Sequence, residues 1–141
     1  MTQDPDSYAQ EAAALERLTR RHGGEHYRRL NSHGGPYLTA TPLEAVMLVA
    51  KALDHDGGGR VTGQDLEDAI LLLDRARGEL DLHELELIDH ARLHHGRTWG
   101  QVAEAAGAGR DRRIAQTRYS RLRGRVPGYT PPVTPQGAAG A

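Results

Sequence analysis

Apolar residues recur three and four positions apart through most of this 141-residue chain, the spacing that gathers side chains on one face of an α-helix. Six helical segments follow. Residues 7–21 make the first, with Ser7 as N-cap and Ala12, Leu15 and Leu18 on one face. The second opens at Thr41-Pro42. Thr41 caps it, Pro42 takes the first position, where its missing N–H costs nothing, and Glu44 completes a capping box. It runs to about Leu53 through Leu43, Val46, Met47, Val49 and Ala50. A third spans about Gly63 to Arg77, with Leu66, Ile70 and Leu73 on one face and Asp65, Glu67, Asp68 and Asp74 largely off it. Gly78 is its expected stop. Asp81 and Glu84 then cap a fourth helix, carrying Leu82, Leu85, Ile88 and Ala91 to about His95. One long kinked helix fits the last two segments equally well.

Breakers separate these segments. Residues 22–36 hold two Gly-Gly pairs and a proline and read as a loop, as does DHDGGGR at 54–60. The tail from Val126 has four prolines, three glycines and no charged side chain, and is expected to be disordered. Phe and Cys are absent, so the core must come from Leu, Ala, Val and Ile, and neither disulfides nor thiolate metal sites are available. The scarcity of aromatic and β-branched residues favours helices over a sheet. The bias towards Arg, Ala and Gly over Lys and Phe suggests a GC-rich bacterial genome.

The last two segments lie in TWGQVAEAAGAGRDRRIAQTRYSRLRGR, residues 98–125. Thr98 and Gln101 form a capping box that starts a short helix. Trp99 sits in its first turn, and Val102, Ala103 and Ala106 pack. Gly107 and Gly109 bracket a turn and can take positive φ. Asp111 caps the final helix. At 100° per residue, Ile114, Ala115, Tyr119 and Leu122 face the short helix, with Arg118 at the seam. The opposite side holds Arg113, Gln116, Thr117 and Ser120.

This is the arrangement of a helix-turn-helix, whose second helix enters the DNA major groove. There Arg113, Gln116, Thr117 and Ser120 would read bases, and Arg110, Arg112, Arg121, Arg123 and Arg125 would hold phosphates. Charge agrees. Residues 97–125 carry eight arginines against Glu104 and Asp111, a net of +6, in a chain whose total is −1; the remainder is therefore −7. Positive charge gathered at one end of an acidic body is the electrostatic footprint of a nucleic-acid binder.

The segment ELDLHELELIDHARLHHGRTWGQVAEAAG, followed by RIAQTRYSRLR, resembles a group of actinobacterial helix-turn-helix proteins, some labelled heat-shock-protein-18 transcriptional regulator. The likeness covers about residues 65 to 123. It matches at Glu79, Leu80, Asp81, Ile88, Ala91, Arg92, Trp99, Ala103, Arg118, Tyr119, Arg121 and Leu122. It departs at Asp111, Arg113 and Ile114, where the pattern has Ser, Gln and Ala. The resemblance implies a DNA-binding regulator, and these departures leave the DNA sequence it reads unassigned.

Two quieter signals remain. DHDGGGRVTGQD aligns with a calcium loop, with Asp54, Asp56, Thr62 and Asp65 as the candidate ligands. Position five is a glycine and position twelve an Asp rather than the longer Glu, so the alternative is a plain helix connection with Thr62 as N-cap. His22/His26 and His90/His94 have the i, i+4 spacing of paired metal ligands; surface histidines explain them more simply.

The sequence thus predicts an all-α protein, a small helical bundle carrying a C-terminal helix-turn-helix. Its parts are an N-terminal helix and flexible loop (1–37), a helical support region (38–96), the motif (97–125) and the tail (126–141). The expected function is sequence-specific binding of double-stranded DNA as a transcriptional regulator, without a cofactor. The expected assembly is a homodimer, through the Leu66–Ile70–Leu73 stripe or the first helix, unless that stripe is core. RNA polymerase is a further expected contact. With neither a signal peptide nor a membrane span legible, the expected place is the cytoplasm, on the nucleoid. The rival expectations are a low-specificity nucleoid-associated or phage DNA-packaging protein, and a module docking an acidic protein through the basic helix. No catalytic constellation is legible, and an enzyme is not expected.

Overall fold

A computed structural model describes residues 4–56 and 58–133, apart from the side chain of Asp56. Among the described residues the fold is all-α, with helices α1 (Pro5–His22), α2 (Gly24–Leu30), α3 (Pro42–Asp56), α4 (Gly63–Leu71), α5 (Leu73–His95), α6 (Trp99–Ala105) and α7 (Arg112–Arg125). The chain divides into two compact units, Met1–Glu79 and Leu80–Ala141, and the division falls inside α5. None of the described helices is long and apolar enough to cross a membrane.

In the first unit α1 is central, and it packs on α3 and α4. Its cap is Asp4, whose carboxylate accepts from the Asp6 N–H at 3.2 Å, with Pro5 at the first position; Ser7 lies inside the helix. The buried side is Ala14, Leu18 and Thr19, whereas Ala12 is exposed. The segment read as a loop contains α2, which sets Tyr27 into the core. Gly23 permits that join, because a Cβ there would stand 2.4 Å from the Thr19 carbonyl oxygen. Burial, reinforced by the hydrogen bond that the hydroxyl donates to the Glu44 carboxylate, pushes the Tyr27 hydroxyl up to about 12. Glu44 therefore supplies only half of the expected capping box. Thr41 Oγ1 accepts from the Glu44 N–H at 3.2 Å, and the Leu43 N–H donates to Glu79 at 2.8 Å.

α4 is rotated from the expectation. Asp65 (1 % exposed), Asp68 (2 % exposed), Ala69 and Leu72 face inward, while Leu66 and Ile70 are exposed. The cause lies on α1. Arg17 and Arg21, four residues apart, meet Asp68 and Asp65, three apart, in two bidentate pairs. Arg21 Nε donates to Asp65 at 2.8 Å, and Arg17 donates to Asp68 at 2.9 and 2.8 Å. Asp65 also accepts from the Thr62 N–H at 3.0 Å, closing a complete capping box, and lies 2.9 Å from His22 Nε2. Burial alone would raise the Asp65 carboxyl; its hydrogen bonds from Arg21, Thr62 and His22 outweigh burial and hold it well below the usual range. Arg17 does the same for Asp68.

The chain then turns at Leu72, which is fully buried, and not at Gly78, which is interior to α5. The roughly 1 kcal/mol that a helical glycine costs is absorbed there. Asp81 and Glu84 are accordingly mid-helix residues and cap nothing.

Asp65→Ala removes half of the α4 capping box, the ion pair with Arg21 and the contact with His22, though the half-exposed Arg21 regains water. We expect a loss of about 2 kcal/mol in urea unfolding followed by circular dichroism. Both carboxyls sit below their unfolded value, so their stabilisation is complete above about pH 4 and is lost as pH falls below it. Stability should therefore drop from pH 7 to pH 3, and drop less in the Asp65→Ala/Asp68→Ala variant. An equal drop in both would contradict the assignment.

Candidate nucleic-acid interface

The second unit is built around one face of α7. Asp111 starts this helix by accepting from the Arg113 N–H at 3.0 Å. α6 begins at Thr98, with the expected Thr98–Gln101 capping box complete. Gly107 (φ 79°) and Gly109 (φ 62°) adopt the left-handed conformation that the turn between α6 and α7 needs. Ala103 on α6 and Ala115 and Leu122 on α7 are buried, so small side chains let the two helices pack closely. Ile114 departs from the expectation. It is 52 % exposed, at the rim of a groove lined also by Leu87, Val102 and Ala115.

Hydrogen bonds from α5 lock α7 at its inner edge. Arg118, expected at the seam, makes a bidentate pair with Glu84, with Nη2 2.8 Å from Oε1. This pair raises the guanidinium and lowers the carboxyl. Further along, Asp89 is 3 % exposed and accepts the Tyr119 hydroxyl at 2.8 Å and the Tyr129 hydroxyl. Burial, together with the Asp89 charge, pushes the Tyr129 hydroxyl upwards. Tyr119 also meets Trp99 edge-on, ring centroids 5.3 Å apart, and the Arg92 guanidinium lies 4.1 Å over the Trp99 ring. The stack accounts for Arg92 Nε, which is buried without a hydrogen-bond acceptor. Residues 126–133, expected to be disordered, are tied down through Tyr129; residues 134–141 lie outside the described residues.

Opposite this anchored edge, Arg113, Gln116, Thr117 and Ser120 are exposed. None of the four has a side-chain partner among the described residues. Arg113, Thr117 and Arg121 line one open recess with Ile114, Arg118 and Arg125. The arginines assigned to phosphates divide into two sets. Arg112 and Arg121 are exposed and uncommitted. Arg110 pairs with Glu104 at 2.9 Å, Arg123 donates to the Tyr119 hydroxyl at 3.2 Å, and Arg125 lies 3.6 Å from Asp81. All three of these guanidiniums are solvent-exposed, and a contact of an exposed arginine is worth no more than about 1 kcal/mol and exchanges readily for a phosphate.

Of the calcium-loop residues, those that are described have other places in the fold. Asp54 belongs to α3, Thr62 is the N-cap of α4, and Asp65 is engaged by Arg21, His22 and the Thr62 N–H. The side chain of Asp56 lies outside the described residues. No group of three or more His, Asp or Glu among the described residues is placed to hold a metal. His90 and His94 stack on each other with centroids 4.9 Å apart.

Glu84, Asp89, Arg92 and Tyr129 are the residues that sequence reasoning missed. Asp89 had a signal, since it follows the core residue Leu85 by four positions and so shares its face. Comparison with known proteins gives no match to a family, a curated protein or a solved structure.

Asp89→Ala strands two tyrosine hydroxyls and should destabilise residues 80–141 by about 2–3 kcal/mol, with Tyr129→Phe costing about 1. Urea unfolding followed by fluorescence of Trp99, the only tryptophan, reads this unit directly. An unchanged midpoint in Asp89→Ala would contradict the role given to that carboxylate.

Proposed function

We propose that residues 80–141 bind double-stranded DNA through a helix-turn-helix, with α6 as support and α7 as the recognition helix. One observation carries this reading. The face of α7 that is free of intramolecular partners is the face bearing Arg113, Gln116, Thr117 and Arg121. Its opposite edge is fixed by Glu84, Asp89 and the buried Ala115 and Leu122.

That division suits a reading head. A side chain that is to pair with a base must be free in the unbound protein, yet carried on a rigid element. Arginine pairs bidentately with guanine and glutamine with adenine, each worth about 1–3 kcal/mol of discrimination. Arg112 and Arg121 flank these positions and hold the backbone. The net of +6 on residues 97–125 supplies long-range attraction to phosphate. The resemblance of residues 65–123 to actinobacterial helix-turn-helix regulators supports the same role: a sequence-specific transcriptional regulator on the bacterial nucleoid. A homodimer belongs to this reading, because paired copies read half-sites one helical turn apart.

Two substitutions separate base reading from phosphate contact. Arg113→Ala should cost about 1–3 kcal/mol on the preferred duplex and much less on scrambled DNA. Arg121→Ala should weaken all duplexes alike and reduce the slope of log K against log salt by about 1. Fluorescence anisotropy at several salt concentrations measures both. Uniform losses in both variants would remove Arg113 from base reading and favour a low-specificity nucleoid or packaging protein. No binding at low salt would favour a protein-docking helix.

A further inference from the structure

We propose that the first unit carries a binding site for a small phosphate-bearing molecule of nucleotide size. The site is a recess of about 790 Å³ at the junction of α1 and α2, walled by α3 and the loop before α4. Among the described residues its polar lining is Arg21, His22, Arg28, Lys51, His55 and Arg60. This concentration of basic residues is not background. Outside residues 97–125 the chain is net −7, and Lys51 is its only lysine.

These basic side chains are held in different ways. Arg21 and His22 are held from behind by the buried Asp65. Arg21 Nε and Nη2 reach its two oxygens at 2.8 and 3.1 Å, and Nη2 also donates to the Arg60 carbonyl at 3.1 Å. Asp65 offsets the charge of Arg21 but fixes its guanidinium, so this donor is oriented before any ligand arrives. Lys51 and His55 stand one turn apart on α3 and have no side-chain partner among the described residues. Arg28 pairs with Glu25 at 3.1 Å on the open surface, an arrangement a stronger anion displaces.

The rest of the lining favours an organic phosphate over a bare ion. Leu48 and Ala52 give an apolar patch on the α3 wall. Gly23 and Gly24 leave the α1–α2 wall as bare backbone, and at Gly23 the close approach of the Thr19 carbonyl keeps it so. The Lys51 ammonium and the N–H groups of Arg21 that Asp65 leaves free match phosphate oxygens, and the volume lies within the range of small-molecule sites. This inference is independent of the DNA reading, which concerns residues 80–141.

The test is isothermal titration of the full chain at low salt with sodium pyrophosphate, adenosine diphosphate and sodium sulfate. Both phosphates should bind with a Kd below about 1 mM, the nucleotide more tightly and sulfate more weakly. Lys51→Ala should weaken both phosphates about tenfold, and Lys51→Ala/His55→Ala more, while Arg113→Ala leaves them unchanged. Lys51 and His55 are exposed, so the fold is not at stake in these variants. Absence of binding at millimolar concentration overturns the proposal. So does binding indifferent to Lys51→Ala, or binding abolished by Arg113→Ala, which would place the anion on α7. Equal affinity for sulfate or pyrophosphate and the nucleotide would overturn the organic-phosphate assignment. Duplex DNA affinity lost in Lys51→Ala would assign the recess to backbone phosphates instead.

Discussion

A carboxylate taken out of water must be given donors, and Asp89 receives them from two tyrosines and no cation among the described residues. This constraint organises the second unit. Tyr119 brings α7 to α5, and Tyr129 brings the segment after α7 to the same carboxylate. Glu84 adds a bidentate hold on Arg118 one helical turn before Asp89's neighbourhood begins. With the inner edge of α7 spent on these contacts, its outer edge is left polar, basic and uncommitted. The candidate interface is the consequence of how α7 is anchored.

The first unit solves the same problem differently. Asp65 and Asp68 are as deeply buried as Asp89, but they take arginines whose far ends stay in water. Such a pair loses less hydration than one enclosed on both sides. Asp65 serves three structures at once: the cap of α4, the α1–α4 contact and the rear of the basic recess.

Local signals in the sequence were read correctly at some helix ends and wrongly at Ser7, Asp81 and Glu84, which lie inside helices. Thr62, Thr98 and Asp111 cap the helices they start, and Gly107 and Gly109 carry the positive φ their turn needs. The all-α class followed from the 3.6-residue spacing. The orientation of α4 was not legible, because apolar periodicity assumes that carboxylates face water. Arg17 and Arg21 reverse that rule only once α1 is packed alongside. Gly78 misled for a similar reason, since a glycine stops a helix only when nothing else favours continuing it. In the candidate interface the exposed set Arg113, Gln116, Thr117 and Ser120 was legible from the helical wheel. The pairing of Asp89 with Tyr119 and Tyr129 was not, because these partners lie 30 and 40 residues away in the chain.

The most direct test of the central claim is in vitro selection from random duplex DNA, with the bound pool sequenced and rebound at two salt concentrations. The account predicts one enriched, two-fold symmetric sequence whose half-sites lie about one helical turn apart and whose binding survives the higher salt. A bound pool with no enriched sequence, or no bound pool at low salt, would contradict it.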